Sequence, residues 1–206
     1  MTINFAIFYL MERTPERSEK VKRVVNNRQQ GIIVLEDIHD PHNAQAVIRS
    51  CDCFGFHTVY IIFENEKQFN ATKMGKLASS SANKWLDYKY FSSTEECYKE
   101  LKKQGYKTYA TILDKEARSL YDYNFTETKK IALVFGNEHA GISEYAAKNA
   151  DHKLYIPMHG MIQSLNLSVT AAICMFEVTR QRQENFSEFQ LEEQAQERLF
   201  AELLKR

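Results

Sequence analysis

Glycine and proline are scarce in this chain of 206 residues, with seven and three copies respectively. So few glycines leave no G-x-G-x-x-G turn and no Walker A loop, the two common backbone cradles for phosphate. H-E-x-x-H is absent, as is the G-x-S-x-G nucleophile turn. These absences argue against a dinucleotide enzyme, a kinase, a metalloprotease and an α/β-hydrolase. No window approaches twenty apolar residues, so no membrane span is expected. The opening MTINFAIFYL is apolar, but it lacks a basic lead and a small-residue cleavage site and is not read as a signal peptide. The four cysteines, Cys51, Cys53, Cys97 and Cys174, follow no zinc-ligand spacing. They are expected to be reduced, buried thiols of a cytoplasmic protein.

Charge of one sign is also lacking. Formal net charge is zero, which argues against holding nucleic acid by bulk charge alone. The charge is uneven, however. Between residues 13 and 28, Arg13, Arg17, Lys20, Lys22, Arg23 and Arg28 face only Glu16 and Glu19, and the tail from Glu184 onward is mainly acidic.

Hydrophobic residues make up 44% of the chain, enough for a sizeable core. Residues 14–28 read as a solvated helix with Pro15 in its first turn, ended by Gly31. The β-branched run 32–35 reads as a buried parallel strand. A helix over 43–54 follows, with Ala44, Val47, Ile48 and Cys51 as its apolar stripe and Gly55 as its stop. Further strands are expected at 58–63, 107–112, 131–135 and 154–156. Residues 64–93 read as polar loop with a short helix near 74–79. Helices are expected at 94–104, capped by Ser93 or Thr94, and at 164–182, with Leu165, Val169, Ala172, Ile173, Phe176 and Val178 inside. A last helix is expected at about 187–204. This alternation predicts one α/β domain with a mostly parallel sheet, residues 31–183, and helical arms at 1–30 and 184–206. Ligands bind such sheets at the carboxyl ends of strands, here after Glu36, Phe135 and Ile156.

Three segments at those ends carry polar groups in unusual places. In DPHNAQAVIR, Asn43 stands at a helix start, where it can cap backbone N–H groups. Arg49 lies about 150° around that helix from its apolar stripe and points away from its core. In FGNEHAGIS, a buried strand runs into a loop bracketed by Gly136 and Gly141, with Glu138 held over the strand end. In IPMHGMIQSLNLSV, Ser164, Asn166 and Ser168 crowd the head of an apolar helix. Such residues need partners there, which points to a polar ligand or a partner chain.

Taken together, the three segments resemble the SpoU ribose methyltransferases of the SPOUT superfamily. HNAQAVIRS is similar to that family's first motif, FGNEHAGIS to its second and IPMHGMIQSLNLSVTAAI to its third, in the same order and spacing. The basic stretch before the first strand and the RQR at Arg180–Arg182 look like the helical arms of the TrmH branch. Leu167 and Thr170 stand where relatives commonly have Val and Ala. The resemblance implies a trefoil-knotted α/β fold, an obligate homodimer and methyl transfer from S-adenosyl-L-methionine (AdoMet) to a ribose 2′-hydroxyl of tRNA, at guanosine 18 of the D-loop. By position, Thr111, Gly136, Ile156, Leu165 and Ser168 would bind AdoMet. Arg49 would be catalytic, with Asn43, Glu138, Ser164 and Asn166 shaping the site. Arg13, Arg17, Lys20, Arg23, Arg28, Arg180 and Arg182 would meet RNA phosphates. A guanidinium resists deprotonation, so Arg49 acts either as the family's base or as an electrostatic clamp on phosphate and developing alkoxide. A ribosomal RNA methyltransferase and a catalytically silent RNA-binding module share these motifs and remain as alternatives.

Overall fold

The computed structural model describes residues 14–73 and 82–206; Arg13 and the short helix expected near 74–79 lie outside them. The chain divides into two compact units, Gln29–Phe189 and a smaller one made from the residues up to Arg28 together with Gln190–Arg206.

In the smaller unit, helix α1 spans Pro15–Asn26. Thr14 caps it by accepting from the Arg17 amide at 3.3 Å, and Pro15 takes the first position, where a missing N–H costs nothing. Val21 and Val25, one turn apart, are its buried residues. α1 packs on the C-terminal helix Glu193–Leu203, which buries Leu199 and Leu203. The Gln190 side chain donates to the Asn26 carbonyl, and the Leu191 amide donates to the Arg28 carbonyl. The expected helix at 187–204 thus splits: Gln183–Glu188 forms 3₁₀ turns and the α-helix begins only after Glu192.

The larger unit is built on strands β1 (Gln29–Glu36), β2 (Phe56–Ile62), β3 (Asp87–Phe91), β4 (Lys107–Thr111), β5 (Arg118–Ser119), β6 (Ile131–Phe135) and β7 (His152–Tyr155). They form a single sheet in the order β3-β2-β1-β6-β4-β7-β5. Every neighbouring pair is parallel. β1 is buried along its whole length because both faces are covered. Its Ile33 and Leu35 enter one core with Val47, Ile48, Ala171, Cys174, Met175 and Val178. Its Ile32 and Val34 enter the other with Cys97, Leu101 and Ala146. Helices α2 (Pro41–Cys53) and α5 (Leu167–Arg182) lie on the first face. Helices α3 (Thr94–Lys103) and α4 (Glu144–Asn149) lie on the second. The chain therefore leaves β1 toward one face and leaves the adjacent β6 toward the other. That divergence opens a crevice beyond the carboxyl ends of these strands, where α/β sheets bind ligands.

Several expectations are corrected by tertiary packing. Gly31 does not end α1; it lies inside β1, where a Cβ would stand 2.4 Å from the Phe56 ring. The stretch expected as loop contains β3, an edge strand whose Asp87 and Lys89 alternate with tyrosines and mask its pattern. The third-motif helix starts at Leu167, not at 164, and Phe176, expected inside, is 54% exposed. Cys51, Cys97 and Cys174 are buried, and burial pushes the Cys174 thiol up to about 12, so it is no nucleophile at neutral pH. Cys53 is exposed. No helix among the described residues is long and apolar enough to cross a membrane.

The Gly31–Phe56 contact yields a direct test. Gly31→Ala should destabilise the protein by about 2 kcal/mol through overpacking, read as a lower midpoint in urea unfolding. Phe56→Leu in the same chain should recover part of the loss.

Candidate active site

Two stretches leave neighbouring strands and are fastened to each other. The first follows β1. Asp37 takes φ 49°, the left-handed region, and it is the only non-glycine to do so among the described residues. Its carboxylate accepts from the amides of Glu64, Asn65 and Glu66 at 2.7, 3.0 and 3.2 Å and from the Asn65 side chain at 2.8 Å. Burial works to raise its pKa, but these donors outweigh burial and hold it below the ordinary value. The second stretch follows β6. Gly136 packs so tightly on the returning chain that a Cβ would lie 2.3 Å from the Gly141 backbone. Asn137 and Gly141 exchange backbone hydrogen bonds at 2.9 Å, and Gly141 turns the chain at φ 73°.

Glu138 joins the two. Its carboxylate accepts from the amides of His39 at 2.9 Å and Asp40 at 3.2 Å and from Asn43 Nδ2 at 2.8 Å. Burial raises its pKa, yet the Asn43 bond and the backbone donors together carry it below the ordinary glutamate range. An ionised carboxylate only accepts, so Asn43 must turn its NH₂ toward Glu138 and its oxygen outward. That oxygen accepts from Asn166 Nδ2 at 2.9 Å. Asn166 Oδ1 then accepts from the amide of Ser168 at 2.8 Å and from its hydroxyl at 2.6 Å, capping α5. Polar residues from all three motif segments thus form one directional relay. Asn43 does not cap α2 as expected. Asp40 does, accepting from the His42 amide at 2.9 Å, which frees Asn43 for Glu138.

The relay borders a cleft of about 720 Å³. Of the expected site residues, Asn43, Thr111, Gly136, Glu138, Ile156, Ser164, Leu165 and Asn166 line it. The Thr111 hydroxyl is engaged within the protein, donating to the Val134 carbonyl at 3.1 Å. Ser168 lies outside the cleft, on a second groove of about 380 Å³ with Ala46, Ser50, Phe54, Val169, Ala172, Ile173 and Phe176. Arg49 is exposed on α2 and lines neither hollow. Sequence reasoning missed Asn137, whose side chain donates to the Asp37 carbonyl at 2.7 Å and accepts from the amides of His139 and Ala140 at 2.8 and 3.0 Å. Its only sequence signal was its place between Gly136 and Glu138. Thr170, noted as a departure from relatives, also lines the cleft.

The expected RNA-contacting residues divide. Arg17, Lys20 and Arg23 are exposed on α1. Arg180 is exposed and grips Glu177 through two bonds of 2.8 Å. Arg28 is 1% exposed and unavailable to phosphate. Arg182 is fully buried. It donates to Gln29 Oε1 at 2.8 Å and to the carbonyls of Thr128, Lys129 and Phe125 at 2.6, 3.2 and 3.4 Å, with its guanidinium 4.5 Å from the Phe189 ring centre. Burial with no carboxylate partner pulls its pKa down to about 10. It ties the end of α5 to β1 and to the turn before β6, so its place in the basic RQR run was misleading.

The SpoU rRNA Methylase family matches residues 30–176. This chain belongs to that family. A tRNA (guanosine(18)-2′-O)-methyltransferase of Thermus thermophilus is 36% identical over 176 residues, covering 84% of this chain and 87% of that protein. The Escherichia coli protein of the same name is 33% identical, over 82% of this chain and 72% of its own length. The 23S rRNA (guanosine-2′-O-)-methyltransferase RlmB of Ralstonia nicotianae is 33% identical over 151 residues, which is 59% of that protein. Among solved structures, the A. aeolicus TrmH/SpoU tRNA modifying enzyme superposes with a TM-score of 0.81 at 28% identity, covering 92% of this chain and 95% of that one. The SpoU-family core thus includes the whole relay from Asn43 to Ser168.

Because the folded pKa of Glu138 lies below the ordinary 4.5, its stabilising contribution is complete above that value. It is lost as pH falls through the lower folded value. Glu138→Gln places an NH₂ against donors and should cost about 1 kcal/mol at neutral pH. Urea unfolding followed from neutral into acid pH should show a shallower acid-side decline in this variant than in the parent.

Proposed function

We propose that this chain transfers the methyl group of S-adenosyl-L-methionine to a ribose 2′-hydroxyl of tRNA, at guanosine 18 of the D-loop. The observation that carries the reading is the Glu138–Asn43–Asn166 relay, which draws three separate motif segments onto one cleft. The match across most of the length of the tRNA (guanosine(18)-2′-O)-methyltransferases favours tRNA over ribosomal RNA, because the RlmB match leaves two-fifths of that protein unaccounted for.

The cleft fits the cofactor chemically. Ile112, Leu113, Leu154, Ile156, Met158 and Leu165 offer apolar surface to an adenosyl group, while anionic Glu138 suits a cationic sulfonium. Gly136, Ile156 and Leu165, with Thr111 behind them, would hold it. When bound, AdoMet supplies an activated methyl group whose leaving group is neutral, so the reaction as proposed uses no metal. The chain must orient the ribose for in-line attack at about 3–3.5 Å. Asn43, Ser164 and Asn166 do this from the cleft wall. Arg49 engages an RNA phosphate through its guanidinium fork and stabilises developing charge on the 2′-oxygen, while the hydroxyl proton leaves to phosphate or water.

Arg49 shares α2 with Ala46 and Ser50 of the second groove, whose Val169 and Phe176 are 44% and 54% exposed. A second copy covering that groove makes the working form a homodimer and brings Arg49 to the seam between copies. The reading includes a trefoil knot through the loops at 136–142 and 156–166, and a cytoplasmic setting where tRNA is found. Residues 31–183 carry the chemistry. The segments 1–30 and 184–206 are arms, of which α1 grips RNA through Arg17, Lys20 and Arg23, aided by Arg13 and Arg180. The acidic 184–206 arm offers phosphates little.

Incubation with methyl-labelled AdoMet and unmodified tRNA should give an alkali-resistant linkage after nucleotide 18. Label confined to ribosomal RNA, or no transfer at all, would sink the reading. Arg49→Lys keeps charge but loses the planar fork. It should lower kcat at least about 100-fold while tRNA affinity stays within about twofold. Neutralising Arg17, Lys20 and Arg23 together should flatten the dependence of log K on log salt by roughly 0.7–0.9 per lost phosphate contact.

A further inference from the structure

Glu36 ends β1 at 1% exposure, and no cation is among its hydrogen-bond partners in the described residues. Its Oε1 accepts from the hydroxyls of Thr94 at 2.5 Å and Ser143 at 2.6 Å, and its Oε2 accepts from the Ser143 amide at 3.0 Å. The Ser143 hydroxyl in turn accepts from the Ala146 amide at 3.1 Å and caps α4. These three bonds tie the strand end to the first turns of α3 and α4, and a buried acceptor that lost them would carry the full cost of its desolvation. A carboxylate that merely filled space here would be replaceable by an apolar side chain at no loss.

What Glu36 holds is a wall of the cleft. Every residue from Gly136 to Ile142 lines it, and Ser143 is the next in the chain. The start of that loop is fixed by β6. Its middle is fixed by Asn137 on the Asp37 carbonyl and by Glu138 on the His39 and Asp40 amides. Its far end depends on Glu36. The anchors on Asp37, His39, Asp40 and Glu36 all come from one five-residue run, 36–40, so a single strand end holds both the middle and the far end of the wall.

We propose that Glu36 is a positioning residue for the cofactor: through Ser143 it preforms the loop that AdoMet binds against. This rests on the methyl-transfer reading above. The role is that of an outer partner that fixes a ligand-contacting segment, where displacements of about 0.5 Å matter.

AdoMet calorimetry and steady-state kinetics on the full chain test it, with Glu36→Gln, Glu36→Ala, Ser143→Ala and the Glu36→Ala/Ser143→Ala double variant. Glu36→Ala and Ser143→Ala should each raise the AdoMet Kd and KM about tenfold, and the double variant should add little, as expected for residues acting as one unit. Glu36→Gln, which keeps one acceptor for the Ser143 amide, should raise them about threefold. In all of them kcat at saturating AdoMet and the KM for tRNA should stay within about twofold. A purely structural role would instead lower the melting temperature without this split. Should Glu36→Ala fail to fold, Glu36→Gln and Ser143→Ala carry the test. Wild-type AdoMet affinity in folded Glu36→Gln and Ser143→Ala overturns the proposal, as does a loss that falls equally on kcat or on tRNA KM. If the parent chain itself takes up no AdoMet, the methyl-transfer reading fails and the proposal falls with it.

Discussion

The candidate site depends on one carboxylate that can only accept. Glu138 takes two backbone amides and the Asn43 amide group, and by doing so it dictates which way Asn43 faces, and through Asn43 which way Asn166 faces. Either amide alone could flip at little cost. Linked in series to an anion, neither can flip without placing donor against donor. Asn166 is left presenting its oxygen to Ser168 and so starts α5 where it does. A charge on one loop thereby sets the first turn of a helix whose chain position is far removed.

This relay exists only because the sheet brings its members together. β1 and β6 are neighbours, and the chain diverges from them to opposite faces. Their exit segments therefore meet over the strand ends instead of being drawn to one side. The segment after β1 is stiffened by Asp37, held in a left-handed conformation by donors from the chain after β2. The loop after β6 is narrowed by glycine on glycine at 136 and 141. The polar groups at the mouth of the cleft are consequently fixed from the rigid side of the protein before any ligand arrives, which is how a site avoids reorganisation cost.

Buried polar side chains are used elsewhere in the same way. Arg182 meets carbonyls, an amide oxygen and an aromatic face instead of a carboxylate, and it closes the end of α5 onto the sheet. Glu36 meets hydroxyls and an amide, and it closes the end of the β6 loop. Isolated ions inside a protein are costly unless their hydrogen-bonding capacity is filled. In both cases the hydrogen-bonding capacity is filled from segments distant in sequence, so each side chain acts as a fastener between chain segments.

The sequence alone determined the strand at 131–135, the α/β alternation, the family and several of the polar residues that line the cleft, Asn43, Glu138, Ser164 and Asn166 among them. Hydrophobic runs and motif spacing are local properties, and they are read along the chain without knowing what lies across from it. Tertiary structure decided that β3 is a strand despite its charges, because edge strands tolerate one polar face. It decided that Gly31 serves a ring contact and not a helix stop. It decided that Asn43 answers to Glu138 while Asp40 does the capping, and that Arg182 and Arg28 are interior while Arg17 and Arg23 are not. A residue's charge is written in its name, but whether water, a carbonyl or a carboxylate compensates that charge depends on neighbours that only folding supplies.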